Sequence, residues 1–170
     1  LVRERSLQEV TRYVYQQLGT FVGKSMPVLL TIKQQREEAT FSKFVLRMGT
    51  DSKWISVCSR PEPEPDLACT HADDGLIAFE LVSLTDPEIA KVQAAGSRSS
   101  KKAFWTLDSS ERIIRNKLGK KYTTSARCIE LLVYTDGQII TPDDSIIPTI
   151  LPIFDEVAHP FKRVWFMGEQ

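Results

Sequence analysis

Two acidic residues, Asp66 and Glu80, stand where apolar residues surround them. Asp66 begins a short apolar run, and Glu80 lies inside the run LIAFELVSL. A carboxylate in such a run is costly to bury unless a partner compensates its charge. A hard cation that prefers oxygen ligands is one suitable partner. The two acids are therefore the first residues in this chain whose type and position could carry chemistry.

The segment between the two acids predicts that they meet in space. Residues 67–69 and 76–84 have the composition of strands, and the polar turn HADDG between them predicts a β-hairpin. If the chain reverses near the two aspartates of this turn, Asp66 lies almost opposite Glu80. Carboxylates on adjacent strands are then close enough to share one divalent cation.

The sequence Pro65-Asp66, followed by Glu80 in a hydrophobic strand, resembles the PD-(D/E)XK nuclease superfamily, which has the restriction-endonuclease-like fold. The resemblance implies hydrolysis of phosphodiester bonds in nucleic acid, with DNA favoured over RNA. It also implies Mg²⁺, with Mn²⁺ as a substitute, held by Asp66 and Glu80. The superfamily pattern has a lysine two residues after the glutamate, where this chain has Val82.

A lysine on a later helix could take the place of the missing one. In this superfamily the lysine orients the attacking water and stabilises developing negative charge, and some relatives carry the cation on the helix after the hairpin. Here that helix contains SERIIRNKLGKKY. Lys117 lies on the flank of the apolar stripe, from which its ammonium group can reach the sheet edge. We expect Lys117 first and Lys121 second in this role, and the alternative is a pair of solvated lysines at a helix C-terminus.

Further charged residues could assist the acidic pair. The resemblance implies a third acid on the first helix, where Glu9 is the candidate metal ligand, although Glu9 also fits a capping box with Ser6. A basic loop supplies Arg98, Lys101 and Lys102 just before two aromatic residues. Cations beside aromatic rings suit the binding of single-stranded nucleic acid or of flipped bases. The alternative for this loop is a solvated polar connection.

Composition limits the other classes of function. The 170 residues carry 22 acidic and 22 basic side chains, so net charge indicates no strong, nonspecific nucleic-acid binder. No apolar run approaches the roughly 20 residues of a membrane span, so we expect no membrane partner. The three cysteines lie in or beside apolar runs, where burial in reduced form favours a cytoplasmic location. Zinc bound by Cys58, Cys69 and His71 is the weaker alternative, because no C-x-x-C pair accompanies them.

The pattern along the chain predicts one α/β domain over residues 1–170, with a mixed central sheet flanked by helices. That order of elements is compatible with the restriction-endonuclease-like αβββαβ core. Enzymes of the resembled class often act as homodimers. The predicted helices cover residues 6–18, 87–95, 108–122 and 143–158. The predicted strands cover residues 27–33, 41–48, 54–58, 67–69, 76–84, 128–135 and 161–167.

Three functions remain open from the sequence. The first is a metal-dependent nuclease in which Asp66 and Glu80 bind the ion and a helix lysine assists. The second is a catalytically inactive binding or assembly module of the same fold, in which Val82 records the loss of chemistry. The third is an unrelated α/β protein in which the two acids have no common purpose.

Overall fold

A computed structural model of the protein describes residues 30–86, 108–136, 139 and 141–168. These residues form an α/β unit with one mixed five-stranded sheet and helices on both faces, as predicted. Within these ranges, no helix has the length and apolar composition that crossing a membrane requires. The helices are α1 (Ile32–Arg47), α2 (Ser110–Leu118) and α3 (Asp143–Glu156), with a 3₁₀ turn at Asp51–Lys53. The strands are β1 (Trp54–Ser59), β2 (Leu67–His71), β3 (Gly75–Ser83), β4 (Ile129–Tyr134) and β5 (Phe161–Met167).

The sheet runs in the order β1-β2-β3-β4-β5. The pairs β1–β2 and β2–β3 are antiparallel, whereas β3–β4 and β4–β5 are parallel. The β2–β3 hairpin pairs Leu67 with Phe79 and His71 with Gly75, so the turn lies where the sequence predicted it. Gly75 adopts a φ of 75°, a left-handed conformation that glycine reaches without steric cost.

Helix α1 corrects the prediction for the early part of the chain. Residues 41–48 were expected to form a strand after a polar turn, and residues 27–33 another strand before it. Instead, one helix begins at Ile32 and continues through the supposed turn to Arg47. The expected strand at 27–33 is therefore wrong from residue 30 onward, and its first three residues lie outside the described ranges.

Local sequence explains why this segment is helical. The Thr31 side chain accepts a hydrogen bond from the Gln34 N–H, and the Gln34 side-chain oxygen accepts one from the Thr31 N–H, which completes a capping box. The buried residues Phe41, Phe44 and Val45 follow a spacing of three and four, which is the helical repeat. The glutamine, arginine and glutamate residues before them are good helix formers rather than turn residues.

The later elements follow the predictions more closely. All five strands overlap the expected segments: β4 and β5 fall within them, β1 and β2 end one and two residues later than predicted, and β3 begins one residue earlier. Helix α3 spans nearly the expected range, including Pro148 and Pro152. Helix α2 ends at Leu118, four residues before the predicted end at 122. Its start does not form the expected cap on Glu111, because Asp108 accepts a hydrogen bond from the Ser110 N–H instead. The helices predicted at 6–18 and 87–95 lie outside the described residues.

The two faces of β3 pack against different helices. Ile77 and Phe79 join a core with α1, whereas Ala78 and Val82 join a core with α2 and α3. Because side chains alternate along a strand, Glu80 points to the face that α2 and α3 cover. A carboxylate is thereby placed between apolar neighbours in the centre of the domain.

Candidate active site

The carboxylates of the first two site residues, Asp66 and Glu80, each accept a hydrogen bond from a backbone N–H of the facing strand segment. The Asp66 N–H donates to Glu80 Oε2 at 3.1 Å, and the Leu81 N–H donates to Asp66 Oδ2 at 2.9 Å. Both acids are buried, with Asp66 9% exposed and Glu80 3% exposed. The hairpin register produces this arrangement, since the pairing of Leu67 with Phe79 places the preceding residue opposite Glu80.

Helix α2 brings Lys117 to both carboxylates. The Lys117 Nζ lies 2.5 Å from Glu80 Oε1 and 3.9 Å from Asp66 Oδ2, and its side chain is 14% exposed. Those two oxygens are therefore no more than about 6.4 Å apart, the sum of the two distances. Ile114 and Leu118 anchor the helix in the core, and this holds the neighbouring Lys117 toward the sheet. Lys121 lies exposed beyond the end of α2.

Helix α1 contributes two residues that the sequence reasoning missed. The Lys33 Nζ lies 3.1 Å from Asp66 Oδ1 and 3.0 Å from Glu37 Oε1. Glu37 is buried, whereas the Lys33 side chain is 69% exposed. Both residues were missed because this segment was predicted as two strands and a turn. The signal that could have revealed them is the spacing of four between a lysine and a glutamate in a helical segment.

These five residues form what we call the charge cluster: Lys33, Glu37, Asp66, Glu80 and Lys117. Three carboxylates meet two ammonium groups, so the cluster carries one uncompensated negative charge when all five are ionised. The acids come from α1, from the residue before β2 and from the middle of β3. Their convergence therefore depends on the tertiary fold and not on a local motif.

The cluster shifts the ionisation of its acids in opposite directions. Burial alone would raise the pKa of Asp66, but the Leu81 N–H and two neighbouring ammonium groups hold that pKa below its ordinary value. Burial raises the pKa of Glu37; the hydrogen bond from Lys33 offsets part of this rise, and the charge of Asp66 adds to it. At low pH, Glu37 is therefore the acid that takes up a proton first of these two.

The carboxylates of the cluster also raise the pKa values of Lys33, itself a cluster member, and of the neighbouring Tyr122. Burial would lower the pKa of Lys33, but its hydrogen bonds to Glu37 and Asp66 raise it above the ordinary value. The pKa of the Tyr122 hydroxyl is raised by burial and by the charge of Glu80. Its buried oxygen makes no hydrogen bond of ordinary geometry with any described residue. The Tyr122 hydroxyl is thus a polar group without a defined partner beside Glu80.

The acids of the charge cluster are of the ligand type that a hard divalent ion uses. Carboxylate oxygens from separate elements are the ligands that Mg²⁺ prefers, usually together with several waters. Over the described ranges, however, no group of three or more histidine, cysteine, aspartate or glutamate residues is arranged so that it could hold a metal ion. Instead, Lys33 lies between Asp66 and Glu37. The Lys33 side chain is 69% exposed, and its departure would leave one oxygen each of Asp66 and Glu37 without this ammonium group.

The remaining predicted site residues lie elsewhere. Glu9, Arg98, Lys101 and Lys102 are outside the described residues. Cys69 is buried and Cys58 is exposed. His71 Nδ1 accepts hydrogen bonds from two N–H groups of the hairpin turn. The histidine is thus occupied in shaping the hairpin.

Comparisons of the chain with protein-family models, with curated proteins and with solved structures found no match.

We expect Lys117→Met to lower the free energy of unfolding by about 3–5 kcal/mol, because it leaves the buried Glu80 carboxylate without its counter-charge. Urea denaturation in metal-free buffer measures this change. Lys120→Met is the matched control, because that lysine is 52% exposed and its ion pair with the exposed Glu62 is long, at 3.9 Å. The control should change stability by less than about 1 kcal/mol. Equal effects of the two substitutions would contradict the structure of the cluster.

We expect stability to depend on pH in two windows. The depressed pKa of Asp66 stabilises the fold above its ordinary value of 3.8, and that contribution is lost as pH falls through the folded-state value. The raised pKa of Glu37 acts in the opposite sense, so stability declines as pH rises above the ordinary value of 4.5. Asp66→Asn should reduce the acid loss, and Glu37→Gln should reduce the decline.

Urea midpoints recorded between about pH 2 and 8 test both windows. The control is Glu111→Gln, which removes an exposed carboxylate paired with Arg115 on α2. This variant should keep the shape of the wild-type profile. A profile that neither Asp66→Asn nor Glu37→Gln alters would rule out the assigned shifts.

Proposed function

We propose that the protein is a metal-dependent nuclease with a divergent restriction-endonuclease-like core. The observation that carries the proposal is the convergence of Glu37, Asp66 and Glu80 with Lys117. An acid before one strand, an acid within the next strand and a lysine are the groups that the resembled superfamily uses. In this chain the lysine comes from α2 and not from the strand position that Val82 occupies.

Asp66 would hold Mg²⁺ or Mn²⁺, together with Glu80 and with Glu37 after Lys33 has moved away. The bound ion supplies a water of lowered pKa and neutralises charge on the phosphate. The hydrogen bonds from the Asp66 N–H to the Glu80 carboxylate and from the Leu81 N–H to the Asp66 carboxylate fix the orientation of the acids before any ligand arrives. Such preorganisation avoids the free-energy cost of reorganising the site during reaction.

Lys117 has the geometry for two tasks in phosphodiester hydrolysis. Its ammonium group contacts Glu80 and lies near Asp66, so it is held beside the place where the acids would gather the ion. A fixed positive charge there stabilises the negative charge that develops on the phosphoryl oxygens. It also donates hydrogen bonds that can orient an attacking water. Lys33, whose side chain is 69% exposed, is suited to contact a substrate phosphate from the solvent side.

A second candidate function is a non-catalytic module of the same fold that binds nucleic acid or assembles with a partner. One observation favours it: Lys33 and Lys117 already neutralise two of the three carboxylates. A cluster balanced in this way is stable without an ion. In this alternative the five residues form a structural ion-pair network, and Val82 marks the loss of the motif lysine.

Titration calorimetry with Mn²⁺, combined with a cleavage assay on supercoiled and single-stranded DNA and on RNA, separates these functions. We expect saturable Mn²⁺ binding and Mg²⁺-dependent cleavage, with DNA preferred. Asp66→Asn and Glu80→Gln should abolish binding of the ion. Lys117→Met should lower the cleavage rate by about 100-fold or more while the protein still binds Mn²⁺.

Two controls accompany this assay. Glu111→Gln removes an exposed acid of α2, and Lys121→Met removes the second lysine that the sequence suggested; both should retain Mn²⁺ binding. Circular dichroism verifies that each variant is folded before its activity is compared. Wild-type protein that binds Mn²⁺ no better than Glu80→Gln, and cleaves no nucleic acid, would leave the non-catalytic module as the function.

A further inference from the structure

A second, aromatic cavity lies at the hairpin end of the sheet, on the face that α1 covers. Its volume is about 110 Å³, and it opens between the C-terminal end of α1 and the first residues of β3, β4 and β5. The charge cluster is at the other end of α1. Glu37 of the cluster and Met48 of the cavity wall are separated by about 16 Å along the helix axis. The residues of this cavity take no part in the function proposed above.

Four aromatic side chains, Phe44, Trp54, Phe79 and Trp165, line the cavity. The Trp54 and Phe79 rings are 5.6 Å apart at 74°, and the Phe44 and Trp165 rings are 5.4 Å apart at 59°, so the two pairs pack edge to face and tilted. A closed apolar cavity of about 150 Å³ holds benzene; this cavity is smaller but open, so it can enclose no more than one planar ring.

One carboxylate in the wall has unused hydrogen-bonding capacity. Glu130 is 2% exposed; its Oε2 accepts from Trp165 Nε1 at 2.7 Å, and its Oε1 lies 3.6 Å from Arg163 Nη1. A carboxylate has about four acceptor positions, so it can accept further N–H donors from a ligand. The buried Trp54 Nε1 in the same wall has no hydrogen-bond partner in the described part of the chain. The cavity thus offers carboxylate acceptors beside apolar rings.

The rim of the cavity is basic. Arg127, Lys162 and Arg163 are exposed and line a smaller adjoining depression that also reaches Glu130; the exposed Asp74 lines both spaces, so the rim carries three basic groups and one acidic group. Guanidinium and ammonium groups in this arrangement bind phosphate. Aromatic walls alone would also accept an organic cation, but Arg163 at the cavity and Arg127 and Lys162 in the adjoining depression outnumber Asp74 and favour an anionic group there.

We propose that this cavity binds a pyrimidine nucleotide, with the base against the aromatic rings and the phosphate on the basic side of the rim. An exocyclic amino group, as in cytosine, would donate to Glu130, which is the pairing that acidic side chains make with this base. The biological setting rests on the proposed nuclease function: a base drawn from a strand would enter here while the same strand reaches the charge cluster.

Titration of the full chain with cytidine and cytidine monophosphate, in buffer with EDTA, tests the cavity without the metal site. Two of the three tryptophans line the cavity, so intrinsic fluorescence reports binding, and calorimetry provides an independent measure. We expect saturable binding of cytidine with a Kd on the order of 0.1–1 mM. The monophosphate should bind about tenfold more tightly because the rim adds charged hydrogen bonds.

Three variants locate the binding. Arg163→Gln, on an exposed side chain, should remove the advantage of the monophosphate and leave cytidine binding nearly unchanged. Glu130→Gln should weaken cytidine binding about tenfold, and uridine, which lacks the amino group, should bind weakly to the wild type. Glu156→Gln on α3 is the control carboxylate and should bind as the wild type does.

If neither fluorescence nor calorimetry detects saturable binding, the proposal is overturned. It is also overturned if Arg163→Gln binds both cytidine and cytidine monophosphate as tightly as the wild type does. Tighter binding of tetramethylammonium than of cytidine monophosphate would show a cation-binding cage instead and would also overturn it. Nucleotide binding retained without any response to Mn²⁺ would overturn the nuclease function alone. The reverse pattern would overturn the cavity proposal alone.

Discussion

The arrangement of this domain depends on the compensation of one buried charge. Glu80 lies in the middle of the central strand, on a face packed with apolar side chains, where an isolated carboxylate would cost several kcal/mol. The Lys117 ammonium group and the Asp66 N–H satisfy its two oxygens. Helix α2 must therefore pack in one orientation about its own axis, and the hairpin must pair in one register. A change in either would leave the Glu80 charge without a partner.

The same constraint links the two cores. Helix α1 packs on the face of β3 opposite to Glu80, and yet Lys33 and Glu37 at its start reach Asp66 at the strand end. The cluster thus joins a helix from each face of the sheet through one residue before β2. At its other end, α1 helps to enclose the aromatic cavity around Glu130. A buried carboxylate thus lies near each end of α1: Glu37 pairs with Lys33 at its start, and Glu130 accepts from a tryptophan N–H near its end.

The sequence predicted the parts of the structure that depend on local pattern. The turn and its flanking apolar runs were sufficient for the β2–β3 register, and the apolar stripe of α2 was sufficient to place Lys117 on a flank facing the sheet. The same reasoning assigned two strands to α1, because short apolar runs around a polar stretch fit either period. That error hid Lys33 and Glu37. Glu130 escaped notice because a buried strand shows no alternation that singles out its acid.

A double-mutant cycle between Glu80→Gln and Lys117→Met is the most direct measure of the central interaction. Unfolding free energies of the wild type, both single variants and the double variant give the coupling between the two side chains. The account predicts a coupling of about 1–3 kcal/mol, well above the few tenths expected for the exposed pair Glu111 and Arg115 on the same helix. Additive effects, with a coupling indistinguishable from zero, would contradict it.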